Sequence, residues 1–403
     1  MSAFGLAYTA ARGRVYFDAD RAPLADGGIV RAPRRDELLP LPPGAVVTML
    51  PGRSPLLADG RTAARRTALA VLLPAGYTRT LLPAYVPRPG APALPLFGYT
   101  FACVVDDALA VAALQTDESE DWVPRTFGPG ELEARVAARS ASDPSNRTLA
   151  QLRVCAVEYG CFTAQNVFLE RGEAAIPVAP RCNAACIGCI SEQDAGAGIP
   201  APQRRIAFEP DVDALTRIGI HHIERVPDGI VSFGQGCEGE PLLRATTIAR
   251  TIERIRAARA NGTLNLNTNG SLPKSLKRLI DAGLQAVRVS LNSFRPETYA
   301  AYYRPAGYAL DDVLESVAVA AGLRVSLNLL THPGVTDERA EVAAMERFLA
   351  RHPVALVQTR TLNIDPDRYF ACVGRPVDPL GMGAALERIR SLGIALGNFT
   401  HTH

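Results

Sequence analysis

Three cysteines, Cys182, Cys186 and Cys189, stand close together in the stretch Ala179-Pro-Arg-Cys-Asn-Ala-Ala-Cys-Ile-Gly-Cys-Ile190, just after an apolar run. Soft thiolate ligands select iron–sulfur clusters, copper(I) or zinc. Three protein ligands rather than four leave one metal position open to a group that is not protein, which points to chemistry rather than scaffolding. A structural zinc site is the alternative reading. It takes four closed ligands, and no Cys or His follows Cys189 at a knuckle-like spacing. Cys237 is the next cysteine, and His221 and His222 lie in an amphipathic segment.

The spacing Cys-x3-Cys-x2-Cys resembles the signature of the radical S-adenosylmethionine (radical SAM) superfamily, and the resemblance runs from about residue 170 to 365. It implies that Cys182, Cys186 and Cys189 hold three irons of a 4Fe-4S cluster. The fourth iron would chelate S-adenosyl-L-methionine, whose reductive cleavage releases a 5'-deoxyadenosyl radical, with the protein supplying orientation and exclusion of water. A reduced flavodoxin or ferredoxin is the electron donor that such chemistry implies.

A second element carries the resemblance further. Phe233-Gly-Gln-Gly-Cys-Glu-Gly-Glu-Pro241 contains Gly239-Glu240-Pro241, which is similar to the Gly-Gly-Glu-Pro element of the superfamily, with Glu238 in place of the first glycine. Gly239 permits close backbone approach, and Glu240 offers a charge-assisted acceptor for the nucleotide ammonium. Leu264-Asn-Leu-Asn-Thr-Asn-Gly270 and Val287-Arg-Val-Ser-Leu-Asn292 resemble the polar strand ends that hold ribose and methionine groups. With period-2 alternation Asn265, Asn267 and Asn269 share a face, as do Ser290 and Asn292. Asn267, Asn269, Ser290, Asn292 and Asn328 are therefore expected to contact the nucleotide, although an amide row also makes a self-satisfied polar layer. Two departures bear on the adenine. Gly188 stands where the superfamily usually has an aromatic residue, and Leu356 to Asn363 shows no clear adenine-lining motif.

These residues need a scaffold to position them. From residue 171 to 403 strands and helices alternate, with strands expected at Ala174 to Ala179, Gly229 to Gly234, Thr263 to Thr268, Ala286 to Leu291, Arg324 to Leu330 and Ala355 to Arg360. Helical patterns fall between them at Val212 to Ile218, Arg244 to Ala260, Lys274 to Ala282, Asp311 to Ala321 and Asp337 to Arg351, and one more follows at Met382 to Leu392. The expected fold is α/β, a partial (βα)6 TIM-like barrel with its site at the carboxyl ends of the strands. Residues 1–125 read as a smaller β-rich N-terminal domain of short apolar runs punctuated by Pro and Gly, and 126–170 as a helical bridge. Pro87 to Pro95 reads as a connector.

The chain has 403 residues, 47% apolar composition and a net charge of +2, enough for a large core and two domains, with nothing that calls for nucleic acid or an acidic membrane surface. The N-terminus lacks the pattern of a secretion signal, and eight cysteines are sparse for a disulfide scaffold, so a cytoplasmic, non-membrane protein is expected. The only lysines, Lys274 and Lys277, open a surface helix, which leaves no well-placed amine for a pyridoxal-phosphate Schiff base. Only Cys372 follows the barrel, so no C-terminal auxiliary-cluster domain is expected.

Other residues invite roles. Cys237 is proposed as a hydrogen-atom donor to a substrate radical, against the reading that it packs a tight turn. Cys155 and Cys161, if on one helix, would point about 120° apart and share no metal. Polar residues in loops after the later strands, Tyr302, Tyr303, Arg304, His332, Asn363, Asp365 and Asp367, are positioned for a substrate, a small molecule or a peptide, or else act as caps and ion pairs.

Overall fold

The computed structural model describes residues 4–10, 13–118, 130–258 and 261–399. The expected boundary at residues 125 and 126, and the last residues of the helix expected to end at Ala260, lie outside the described residues.

Seven parallel strands in sequential order form the main sheet: β1 Glu173–Ile176, β2 Ile230–Phe233, β3 Thr263–Thr268, β4 Ala286–Leu291, β5 Arg324–Thr331, β6 Leu356–Thr361 and β7 Ala395–Gly397. Helices α4 Val212–Arg225, α5 Ala245–Ala257, α6 Pro273–Asp281, α8 Leu310–Val319, α9 Arg339–Leu349 and α11 Met382–Ser391 connect them, and short helices α7 Pro296–Tyr303 and α10 Pro366–Val373 follow β4 and β6. Successive side chains of a strand face opposite ways. One face is apolar and covered by helices, as with Val287, Val289 and Leu291 of β4 and Val325, Leu327 and Leu329 of β5. The other face is polar: Ser232, Asn267, Arg288, Ser290, Asn328 and Gln358.

That polar face is strongly curved. Arg288 of β4 reaches Glu173 of β1, three strands away, with Nη1 3.2 Å from Oε1. Flat strands about 4.8 Å apart would put these residues beyond the reach of one side chain.

Helices α1 Glu131–Ser142, α2 Arg147–Val157 and α3 Phe162–Leu169 precede β1 and share its apolar core through Leu149, Leu152, Val167 and Phe168. Asn146 caps α2 by accepting from the Leu149 N–H.

The N-terminal region is β-rich and antiparallel. Leu6–Thr9, Val15–Asp18, Val46–Met49, Thr67–Leu72 and Tyr99–Thr100 form one sheet, and Ala102–Val105, Ala108–Gln115, Leu38–Pro40 and Tyr77–Arg79 another. Asp106 and Asp107, at φ 50° and 61°, make the tight hairpin between Ala102–Val105 and Ala108–Gln115. The region is fastened to β6 and the loop after it. Arg53 pairs with Asp365 at 2.9 Å with both side chains buried, and fully buried Arg79 donates to the Leu362 carbonyl at 2.8 Å. The Pro87 to Pro95 stretch joins this contact. The Leu94 N–H donates to Asp365 and the Pro92 carbonyl accepts from Arg53.

Candidate active site

The cysteine loop leaves the carboxyl end of β1 and is held on both flanks by backbone hydrogen bonds. On one side the Gly239 and Glu240 N–H groups donate to the carbonyls of Ala179 and Arg181, at 2.7 and 2.9 Å. The approach is so close that a Cβ on Gly239 would lie 2.0 Å from the Arg181 carbonyl oxygen, so only glycine fits. On the other side Ala185 and Ile187 donate to the carbonyls of Tyr303 and Tyr302, and Ala306 donates to Asn183. A Cβ on Gly188 would stand 2.9 Å from the Tyr302 hydroxyl. The ring beside the third cysteine is thus supplied by α7 rather than by the loop. Tyr302 and Tyr303, expected near a substrate, are buried against the cysteine loop instead.

The three thiols act on one another. Burial pushes Cys182 up to about 11, with the Cys189 thiol adding to the shift, and burial followed by Cys189 and Cys182 pushes Cys186 higher still. Ser191 Oγ lies 3.5 Å and Arg205 Nη2 3.6 Å from the Cys189 sulfur. Such a set fits a metal held by thiolates: buried thiolates that repel one another are stabilised by a cation, and metal binding removes their protons. A closed zinc site has no fourth ligand at hand. Among the described residues no three His, Cys, Asp or Glu side chains are grouped to hold a single metal ion, as a closed tetrahedral site requires.

Two buried carboxyls organise the loop after β2. Glu238, in the position of the missing glycine, accepts from the N–H groups of Val178, Ala179 and Gln235, each at 2.7 Å. Burial raises it to about 8 against these bonds. Glu240 accepts from the Leu242 and Asn269 N–H groups at 2.9 and 2.8 Å and from the Thr268 hydroxyl. It too is raised by burial, to about 7. A carboxylate has about four acceptor sites, so Glu240 keeps room for a ligand donor while fastening the loop to the end of β3.

Behind these loops lies a cavity of about 440 Å³ on the polar face of the sheet. Gly239, Glu240, Asn267, Asn269, Ser290 and Asn328, all expected at the nucleotide, line it. Much of the amide row is satisfied internally: Asn267 donates to the Gly234 carbonyl and accepts from Arg288, and Asn269 donates to Asn183. The side-chain oxygens of Asn328 and Gln235 have no hydrogen-bond partner among the described residues.

Several expectations are corrected. Asn292 does not share the Ser290 face. β4 ends at Leu291, and the Asn292 amide turns to the Tyr369 hydroxyl and the Thr298 carbonyl. Cys237 is buried away from the cavity lining, its sulfur accepting from the Gln235 amide at 3.4 Å and interacting with the Cys155 thiol, while its carbonyl accepts from Ile206. The thiol that lines the cavity is Cys161. Cys155 and Cys161 are not on one helix, because α2 ends at Val157 and Cys161 caps α3, so the 120° argument does not apply. His332 is wholly buried against Tyr369 and Phe370, with Nδ1 2.9 Å from the Pro333 carbonyl. Asp365 caps α10 and anchors Arg53, and Asp367 lies 3.5 Å from the same guanidinium. Arg304 pairs with Asp194 on the surface, and Asn363 packs beside Gly98. Sequence reasoning missed Glu238, Arg205, Arg288 and Arg360, whose positions depend on partners far along the chain.

A parallel sheet, a thiol triad after its first strand and a glycine-acid loop after its second define a class of metal-cluster domain. Residues 176–345 match the Radical SAM superfamily. Domains of this superfamily use a 4Fe-4S cluster and S-adenosylmethionine. The curated relatives include the GTP 3',8-cyclase of Limosilactobacillus fermentum, 29% identical over 40% of this chain and 46% of the relative. That of Heliobacterium modesticaldum is 32% identical over 44% and 51%. The chain thus spans about half the length of the curated relatives it matches. Among solved structures, Streptococcus suis SuiB bound to S-adenosylmethionine covers 67% of this chain and 60% of its own at 12% identity, with a TM-score of 0.38. No described helix is long and apolar enough to cross a membrane.

Proposed function

We propose that the chain is a radical SAM enzyme that abstracts hydrogen from a small polar substrate held in the cavity of the curved sheet, which serves as a partial barrel. The observation that carries this reading is the double tether of the cysteine loop, by Gly239 and Glu240 on one side and by α7 on the other, beside a polar cavity that Ile190, Gly239 and Glu240 line. Cys182, Cys186 and Cys189 would hold the cluster, leaving one iron for the nucleotide. When bound, these cofactors supply a reductively generated carbon radical. The chain's residues do the rest. Gly239 lets the loop backbone approach the nucleotide, Glu240 and Asn269 present polar atoms to it, and the sheet walls exclude water.

The relatives named GTP 3',8-cyclase favour a nucleotide-like substrate, while the part of them that this chain matches does not fix it. A reduced flavodoxin or ferredoxin in a reducing cytoplasm would supply the electron. The test is anaerobic reconstitution with iron and sulfide, followed by S-adenosylmethionine and dithionite. About four irons per chain and release of 5'-deoxyadenosine are expected. A colourless protein that binds zinc and releases none would defeat the reading.

A further inference from the structure

The cavity has two poles of opposite character. Its acidic pole is Glu240, in the loop after β2. Its cationic pole is formed by Arg288 of β4 and Arg360 near the carboxyl end of β6, and both line the cavity. The two arginines differ in how they are satisfied. Arg288 is paired with Glu173 and also donates to Asn267 at 3.0 Å. Arg360 donates from Nη1 to the Asn398 carbonyl at 2.7 Å, and among the described residues it has no carboxylate partner. Its side chain is exposed and lines the cavity. Surrounding protein, and then the charge of Arg288, lower its pKa, whereas Glu173 opposes the shift. Two guanidinium charges against one carboxylate leave a net positive charge in this part of the cavity.

We propose that Arg360 is the binding site for an oxyanion, a carboxylate or a phosphate, on the molecule that shares the cavity with the nucleotide. The inference rests on the reading above, under which the nucleotide occupies the Glu240 side. A guanidinium fork matches the two oxygens of either group, and such charge-assisted bonds are stronger than neutral ones. The Asn398 carbonyl fixes one arm of the fork, so the remaining N–H groups are presented with little further loss of freedom. The unpartnered oxygens of Asn328 and Gln235 line the same cavity. They are placed for hydroxyl or amino hydrogens, which describes a polar ligand with an anionic end.

The experiment titrates inorganic phosphate and, separately, malonate into the reconstituted protein saturated with S-adenosylmethionine, and follows heat. One of the two anions should bind saturably, one per chain, and which one binds separates a phosphate from a carboxylate ligand. Arg360→Gln should weaken that binding at least tenfold, and Arg360→Lys should recover part of it, because it keeps charge but loses the fork. Binding of neither anion, or equal binding by Arg360→Gln, overturns the proposal. So does displacement of S-adenosylmethionine by the anion, which would give the cationic pole to the nucleotide's own carboxylate. If Arg360→Gln fails to fold, protection of Arg360 from phenylglyoxal by the bound anion, read by mass spectrometry on the wild-type protein, decides the matter in the same way. Failure to incorporate iron would instead count against the radical SAM reading, and the same titration on the protein as isolated would still test Arg360.

Discussion

Glu238 and Ala179 meet at 2.7 Å, carboxylate oxygen to backbone nitrogen, at the point where the chain turns from β1 into the cysteine loop. The same oxygen takes the Val178 N–H, so one side chain from the loop after β2 fixes the exit direction of the strand before it. Removing it orphans two buried N–H groups, each costing about 1–3 kcal/mol, and a third that is partly buried. Glu238→Ala should therefore lower thermal stability sharply and reduce iron incorporation, whereas Glu238→Gln, which keeps one acceptor, should be milder. Full iron loading and an unchanged melting temperature in Glu238→Ala would remove this role.

The buried pair of Arg53 and Asp365 fastens the N-terminal region to the loop after β6. Breaking one member of a buried pair costs about 3–5 kcal/mol because the survivor is left uncompensated. Arg53→Met should show this loss in urea unfolding, and Arg53→Met combined with Asp365→Leu should lose less. A double variant as unstable as the sum of both singles would show that the two residues do not act as a pair.

Cys237 faces Cys155 and is absent from the cavity lining. Cys237→Ser should load the cluster and release 5'-deoxyadenosine like the parent chain, with at most a modest fall in stability. Loss of product formation with normal nucleotide cleavage would restore the hydrogen-donor role.

Glu341 is buried on α9, accepting from the Phe294 N–H at 2.6 Å and from the Ser293 hydroxyl, and burial raises it to about 7. An unfolded glutamate titrates near 4.3. Between these values the folded state holds a proton that the unfolded state has released, so Glu341 contributes stability at low pH that is lost as pH rises through about 7. Between pH 6 and pH 8 its share is on the order of 1 kcal/mol. Urea midpoints should fall over that interval, and Glu341→Gln should flatten the fall. A variant with the parent's slope would refute the assignment.

The strands at the centre of the sheet were legible to the residue. β3 and β4 run Thr263–Thr268 and Ala286–Leu291 as the alternation of apolar and polar residues indicates. Helices α3, α7 and α10 were missed because each is only eight residues long. Two of them did carry a signal, since Pro296 and Pro366 occupy first-turn positions and Asp365 caps the second. Those stretches were read instead as loops whose residues meet a substrate or act as caps and ion pairs, and their residues hold the cysteine loop and the N-terminal region. The amides of the polar face follow from period two. Asn292 fails because it stands one residue past the end of its strand, where the alternation stops. Glu238 and Arg360 were opaque for a different reason: burial and partners separated by dozens of residues decide what each does.

The two faces of the sheet divide labour in a way that bears on how such a chain changes over time. The apolar residues of β4 and β5 pack outward against helices, while Ser290, Asn328 and Arg360 point into a cavity and contribute little apolar burial. If the cavity holds the substrate, exchanging its residues would alter which molecules are accepted while leaving the hydrophobic layer intact. New substrates can therefore be sampled by drift on one face without putting the scaffold at risk on the other.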